Sequence, residues 1–303
     1  MRTRTLGEGG PDVSAVGLGT NNFGGRIDYE QSRAVIDAAL EAGVTLIDTA
    51  DIYGQGTSEE FIGRALEGQR DGVLIATKFG KPMDELPEER RGNPDYIQAA
   101  VESSLRRLRT DVIDVYQMHE PDPVTPIVET LGALNDLVHE GKVRWIGSSN
   151  FSADQIEAAE EVSRGAGFHR FVSVQNHYSL VERGAEDDVL PVCEKLEIGF
   201  LPYFPLASGL LTGKYRRGEQ ATEGRLAGRE ISEARWDRSE ALQRYADERG
   251  LSLLDVAVGG LLAMPAVSCV IAGATKPEQV RQNVAAGAWE PSAEDVEALR
   301  ALR

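Results

Sequence analysis

Along the chain, short apolar runs rich in β-branched residues recur, separated by longer stretches with helical spacing. The runs are residues 44–48, 73–78, 113–119, 144–149, 171–176, 199–203 and 268–273, and residues 13–19 complete a set of eight. They are continuous rather than alternating, the pattern of parallel strands covered on both faces. The stretches between them carry helix signals. Residues 29–42 follow Asp28 as an N-cap and stop at Gly43. Asn93 and Pro94 open 95–109, and Thr125 and Pro126 open 127–139, which closes at Gly141. Residues 152–163 and 186–196 fill two further gaps. Strand–helix units repeated eight times predict a doubly wound sheet or a (β/α)8 TIM barrel. A length of 303 residues favours the barrel, whose typical size is about 250 residues before insertions.

Two segments depart from the repeat. Residues 1–12 contain Gly-Glu-Gly-Gly-Pro, a turn signal that predicts an N-terminal hairpin ahead of the barrel. Residues 204–235, after the seventh strand, form a long loop rich in Gly and Arg with little periodicity. A loop of that length inside a compact domain is usually functional. No linker or break in composition divides the chain, so 1–303 reads as a single domain.

Composition narrows the partners. Lys and Arg total 32 against 49 Asp and Glu, a formal net charge of −17. That field repels nucleic acid and anionic membranes, so neither is expected as a partner. The one basic stretch, 214–229, is interrupted by Glu219, Glu223 and several glycines. The two cysteines, Cys193 and Cys269, have no CxxC partner and read as small buried hydrophobes in a reducing compartment. The first ten residues hold no signal-peptide core, and no apolar stretch approaches a membrane span, so a cytoplasmic protein is expected. In that compartment the glycosylation sequon at Asn150 has no meaning.

Polar residues at the ends of several barrel strands mark an active site. Asp48 ends the second run, Tyr53 follows in the loop, Lys78 ends the third and His119 ends the fourth. An ammonium beside a phenol favours the phenolate, and a carboxylate keeps the lysine charged. An imidazole can hydrogen-bond a carbonyl oxygen. Together such groups would protonate the oxygen of an aldehyde or ketone as a hydride reaches its carbon, which requires a nicotinamide cofactor. Each residue alone also has a plainer reading: an ion pair fixing a strand end, a core histidine, a loop aromatic.

The segments LIDTADIYG, IATKFG and DVYQMHEPD resemble the catalytic signatures of the aldo-keto reductases, and the likeness spans nearly the whole chain. VSAVGLGT resembles the family's first barrel strand, VRWIGSSNF and VSVQNHYSL its fifth and sixth, and LPYFPLASGLLTGKY and VIAGATKPEQVRQNV its cofactor segments. The resemblance implies an NADPH-dependent oxidoreductase acting reversibly on a small carbonyl or alcohol substrate. It implies Tyr53 as proton donor, Lys78 and Asp48 as the groups that tune it, and His119 as the group that orients the carbonyl. It also implies a cofactor site. Ser149, Asn150 and Gln175 would hold the nicotinamide amide, and Tyr203 would stack on its ring. Pro205, Leu206, Ser208, Gly209 and Lys214 would cover the pyrophosphate. Gly273, Thr275, Lys276, Gln279 and Asn283 would hold the adenosine end, with a helix starting at Pro277.

The chain departs from the family pattern at Phe204, often a serine, at Gln282, often a glutamate, and at Gln279, often an arginine against the 2′-phosphate. Lys276, Lys214 and the loop arginines are the candidates for that charge. Potassium channel beta subunits share these motifs, so a cofactor-binding regulatory subunit is the alternative reading. No HExxH, Walker A, GxSxG or complete GxGxxG motif occurs, and His139, His169 and His177 show no metal-ligand spacing. Pocket walls are expected from Asn21, Asn22, Phe23 and Arg26, from Tyr53, and from the segments after Lys78 and His119. Phe23 and Phe79 would offer apolar surface, and Arg26 would meet an anion.

Overall fold

The computed structural model describes residues 1–84, 90–219 and 224–302. A two-stranded antiparallel hairpin, β1 (Thr3–Thr5) and β2 (Asp12–Ser14), precedes a parallel sheet of eight strands. These are β3 (Val16–Gly19), β4 (Leu46–Asp48), β5 (Leu74–Phe79), β6 (Ile113–Met118), β7 (Val143–Ser149), β8 (Phe171–Gln175), β9 (Gly199–Phe200) and β10 (Val270–Gly273). Each pairs with its neighbour in sequence, and β10 returns to pair with β3. The ring closes where Phe200 N donates to Ala266 O at 2.7 Å and Ser268 N donates to Phe200 O at 3.0 Å. The result is the expected (β/α)8 barrel with its hairpin.

Helices α1 (Tyr29–Glu41), α2 (Thr57–Ala65), α3 (Pro94–Leu108), α4 (Ile127–His139), α5 (Ala153–Ala166) and α6 (Val189–Lys195) follow β3 to β8 in turn. Their starts are chemically specified. Asp28 and Ser152 each form a capping box with a glutamine three residues on, and Asn93 accepts from Tyr96 N ahead of Pro94. Between β9 and β10 lie a 3-10 segment (Ala207–Thr212), α7 (Glu233–Glu248) and α8 (Leu253–Leu262). After β10 come α9 (Pro277–Ala286) and α10 (Ala293–Ala301). Among the described residues no helix is long and apolar enough to cross a membrane. Part of the long loop, 220–223 with Glu223, lies outside the described residues.

The run 13–19 proves to be two strands. Ser14 and Thr45 exchange hydrogen bonds of 2.8 and 3.0 Å through their hydroxyls and backbone amides, which ends the hairpin before β3 begins. The run 199–203 keeps only two ladder residues in β9. Both cysteines are buried and free, as expected.

The hairpin closes the N-terminal end of the barrel. Leu6 and Val13 pack with Leu46, Ala76, Val115, Leu201, Cys269 and Ile271 in a cluster separate from the larger core. Arg4 donates to Val267 O at 2.7 Å, Ser268 Oγ to Thr5 O at 3.0 Å, and Trp145 Nε1 to Gly9 O at 2.8 Å. The turn lies so close to the barrel that a Cβ on Gly7 would stand 2.2 Å from Val172 O, whereas one on Gly9 would meet nothing within 4 Å. Beside the barrel, Glu59 is fully buried and accepts from Arg107 at 2.7 Å and from Thr77 Oγ1 at 2.5 Å. Asp51 lies nearby, 1% exposed, and its carboxylate oxygens have no hydrogen-bond partner among the described residues. Burial, then the charge of Glu59, pushes its pKa up to about 8.

Two stability predictions follow from these contacts. Gly7 and Gly9 share a φ near +72°, so alanine carries the same backbone cost at both, and only Gly7→Ala adds a clash. Denaturant unfolding should find Gly7→Ala less stable than Gly9→Ala by about 1–3 kcal/mol; equal values would contradict the close packing of the turn. For Asp51, a raised folded pKa gives stability that is present below the unfolded value and is lost as pH rises through about 8. The neutral Asp51→Asn variant should therefore gain on the parent protein by about 2 kcal/mol or more between roughly pH 5 and pH 8.5. A difference that does not change with pH would show that Asp51 is ionised throughout.

Candidate active site

Side chains alternate along a strand, so the residue two positions after an interior apolar residue also faces the barrel axis. Leu46, Ala76 and Val115 line the interior, and the next inward positions are Asp48, Lys78 and Gln117, with His119 beyond. The polar side chains form one bonded layer. Lys78 Nζ donates to both Asp48 oxygens and to Thr49 O, each at 2.8 Å. Gln175 Nε2 donates to Asp48 Oδ1 at 2.8 Å, and Gln117 Nε2 donates to the same oxygen at 3.3 Å. Lys78 is 1% and Asp48 2% exposed, so the pair is buried at the centre of the barrel.

Above this layer opens a cleft of about 1360 Å³. Tyr53 and His119 stand on its floor with ring centroids 6.0 Å apart, edge to face. The cleft is lined by Asp48, Tyr53, His119 and all fourteen residues expected at the cofactor. Of the expected catalytic and cofactor residues, Lys78 alone is not in the lining and lies beneath it. On one wall, Ser149 Oγ donates to Gln175 O at 2.6 Å, and Asn150 Nδ2 donates to His119 O at 2.9 Å. Tyr203 OH donates to Asn150 Oδ1 at 2.8 Å, and the Tyr203 ring stacks on His177 at 5.4 Å and 7°. Tyr203, Asn150 and the inner layer are thus linked by hydrogen bonds.

The far end is built from loops and a helix start. Among the described residues, seven non-glycine positions have positive φ, and Asn150, Phe204, Ala207 and Ser208 are four of them. Such backbone costs about 1–3 kcal/mol each and clusters where function requires a shape. Gly209, φ +97°, lies against Lys214, whose Nζ sits 4.9 Å over the Tyr215 ring. Lys276 is the N-cap of α9 and provides no side-chain cap; only its carbonyl accepts from the first turn, from Gln279 N at 3.1 Å. Gln279 turns back, accepting from Thr275 N at 2.8 Å.

The electrostatics separate the two floor residues. Burial pushes the His119 imidazole down to about 2, with Lys78 and Lys81 acting in the same direction, so it is neutral at any working pH. Its Nδ1 is buried without a partner among the described residues. Tyr53 is only partly buried by area, yet its enclosed surroundings push the phenol up, the Asp48 charge adds to this, and Arg225 opposes it. The sequence points to Lys78 as the cation that lowers this phenol. In the structure that ammonium is bound by Asp48 and lies 5.5 Å from the Tyr53 ring centroid, and the Arg225 charge also favours the phenolate. Burial lowers the pKa of Lys78 itself, and Asp48 counteracts this.

Two expected wall residues belong elsewhere. Phe23 and Phe79 are buried in the outer core, Phe79 stacked on Tyr116 at 4.7 Å, and neither lines the cleft. Phe204, 38% exposed, and Ile52 provide apolar wall instead. Gln117 was not anticipated, although its place two residues before His119 puts it on the same inward face. Lys81 and Arg225 also line the cleft. No cluster of metal ligands occurs among the described residues.

The model of the "Aldo/keto reductase family" matches residues 15–303. The chain is 37% identical to aldo-keto reductase YhdN of Bacillus subtilis (strain 168), over 97% of this chain and 91% of that protein. It is 35% identical to the uncharacterized oxidoreductase YqkF of the same organism, over 99% and 96%. Among solved structures it resembles aldo-keto reductase AKR11C1 from Bacillus halodurans in its holo form. That match has a TM-score of 0.83 and 31% identity over 100% of this chain and 96% of that one. Barrel, cleft and sequence agree, and the chain belongs to the aldo/keto reductase family of oxidoreductases.

Proposed function

We propose that this protein is a cytoplasmic, NADPH-dependent reductase that reversibly converts a small aldehyde or ketone into the alcohol, with 1–303 acting as one catalytic unit and Tyr53 as proton donor. The observation that carries the reading is the meeting of Tyr53 and His119 on the cleft floor, above an Asp48–Lys78 pair that is already neutralised.

The cleft fits a nicotinamide dinucleotide. Ser149, Asn150 and Gln175 bring amide and hydroxyl groups to one wall, where they would hold the carboxamide, and Tyr203 presents an aromatic face beside them. The segment Pro205, Leu206, Ser208 and Gly209, with Lys214, would lie along the pyrophosphate. Gly273, Thr275, Lys276, Gln279 and Asn283 would hold the adenosine end, where the uncapped start of α9 favours an anion. When bound, the cofactor supplies the hydride.

The protein's own groups handle the oxygen. A neutral His119 holds the carbonyl oxygen by a hydrogen bond and cannot serve as a cationic acid near pH 7. Tyr53, fully protonated because its pKa is raised, donates its proton to that oxygen as charge develops there. Asp48 and Lys78 hold the floor rigid beneath them. In the oxidative direction the same phenol oxygen takes the proton back.

Tyr53→Phe should reduce turnover of a panel of aldehydes, followed at 340 nm, by about 10²–10⁴-fold while NADPH still quenches the protein fluorescence with similar affinity. Turnover within tenfold of the parent would assign proton donation elsewhere, and NADPH binding without any turnover in the parent would favour a regulatory role. Lys276 has no carboxylate partner among the described residues, so it is free to meet the 2′-phosphate. Lys276→Met should weaken NADPH binding about tenfold or more and leave NADH binding nearly unchanged; equal losses for both would remove it from the 2′-phosphate site.

A further inference from the structure

Arg26, Lys214, Arg225 and Lys276 line the cleft and have no carboxylate partner among the described residues. Lys214 and Lys276 stand where the cofactor phosphates are expected. The two arginines do not. Arg26 comes from the loop after β3 and Arg225 from the loop after β9, and both share the cleft with Tyr53 and His119.

Arg225 is held in one place. Its Nη2 donates to Asn22 Oδ1 at 2.8 Å and also to Asn21 Oδ1, and its guanidinium lies 5.3 Å over the Phe204 ring. Phe204 in turn packs edge to face on Tyr203 at 5.3 Å. These contacts position the guanidinium with neutral partners only, and Nη1 and Nε donate to nothing among the described residues. A half-buried guanidinium is ordinarily matched by a carboxylate. Here the nearby charges are of the same sign: Arg26 and Arg229 both act against the Arg225 charge. Asp48, the acid on the cleft floor, is bound to Lys78. In a chain of net charge −17, arginines gathered in a cleft with no carboxylate partner among the described residues are organised for an anion.

We propose that Arg225, with Arg26 at the rim, binds an anionic group of the substrate, so that the preferred substrates are aldehydes or ketones carrying a carboxylate or phosphate. The inference rests on the reductase reading and names its substrate class. The planar fork of Arg225 suits two oxygens of either group, and Arg225 lines the same cleft as Tyr53, so one substrate can meet both.

The test compares succinic semialdehyde with its methyl ester, and glyceraldehyde phosphate with glyceraldehyde, in the parent protein and in Arg225→Met, Arg225→Lys and Arg26→Met. The parent should prefer at least one anionic member by about tenfold or more in kcat/KM. Which pair shows the preference separates carboxylate from phosphate. Arg225→Met should reduce that preference about 10- to 100-fold, Arg225→Lys should restore part of it, and Arg26→Met should have the smaller effect. NADPH affinity by fluorescence should stay within about threefold throughout. Neutral and anionic substrates reduced equally well by the parent would overturn the inference and leave the reductase reading intact. So would an Arg225→Met variant that loses NADPH affinity and slows both members alike, since Arg225 would then belong to the cofactor. A parent protein that binds NADPH and reduces none of the four would overturn both.

Discussion

The Asp48–Lys78 pair is the constraint around which the barrel's working end is arranged. Placing two charges where each is no more than 2% exposed is unfavourable unless geometry and further hydrogen bonds compensate. Here the compensation is complete. Lys78 has three acceptors at 2.8 Å, and Asp48 receives the ammonium on both oxygens and two carboxamides on one. Those four side chains come from β4, β5, β6 and β8, so the bonded layer ties half the barrel into one register. Below it the interior is dry and apolar, closed by Leu6 and Val13 of the hairpin. Above it, Tyr53 and His119 rest on a floor that carries no net charge of its own.

The site therefore has two mechanical parts. Strand ends hold the inner layer, His119, Ser149 and Gln175, where backbone ladders fix positions closely. The cleft wall from Tyr203 to Lys214 lies beyond the two-residue β9, in a segment that departs from regular dihedrals at Phe204, Ala207 and Ser208. Strained backbone persists only where its surroundings hold it, and Pro205, Ala207, Leu210 and Leu211 are buried beneath the turn. The strain is thus carried by apolar packing, leaving the polar face of the segment directed at the cleft.

How much of this was legible in the sequence depended on parity and periodicity. The strand ends were readable because an ionisable residue closing an apolar run has few other uses, and the fourteen further residues that line the cleft because several ordered segments agreed. Parity would have corrected one error: with Lys78 facing inward, Phe79 must face outward, and it does, against Tyr116, itself adjacent to inward Gln117. The same rule would have found Gln117. Phe23 had no such signal, because it lies in a turn. The helices between β9 and β10 escaped notice for opposite reasons. α7 is half charged, its buried face marked only by Trp236, Ser239, Leu242, Tyr245 and Ala246. α8 is buried nearly all round, so its sequence carries no polar stripe. Arg225 was not singled out because its meaning arises from residues two hundred positions away, Asn21 and Asn22.

Charge is distributed accordingly. Outside the cleft, arginines and lysines are largely matched with the abundant acids, as in Arg217 with Glu233, Asp237 and Glu240, or Lys142 with Glu102 and Glu140. Inside it, Asp48 is bound to Lys78, Lys81 pairs with Glu120, and Arg225 meets the Asn21 and Asn22 amides and the Phe204 ring. An acidic exterior repels anions in solution, while the local field of the cleft attracts them at short range, where screening over about 8 Å no longer hides individual charges. That contrast favours anionic ligands in the cleft. Tyr53 keeps its proton because its enclosed surroundings disfavour the phenolate; the Asp48 charge adds to this, and Arg225 offsets part of it. Filling Arg225 with a substrate anion would remove that offset and hold the phenol proton more firmly until the carbonyl oxygen itself becomes the stronger base.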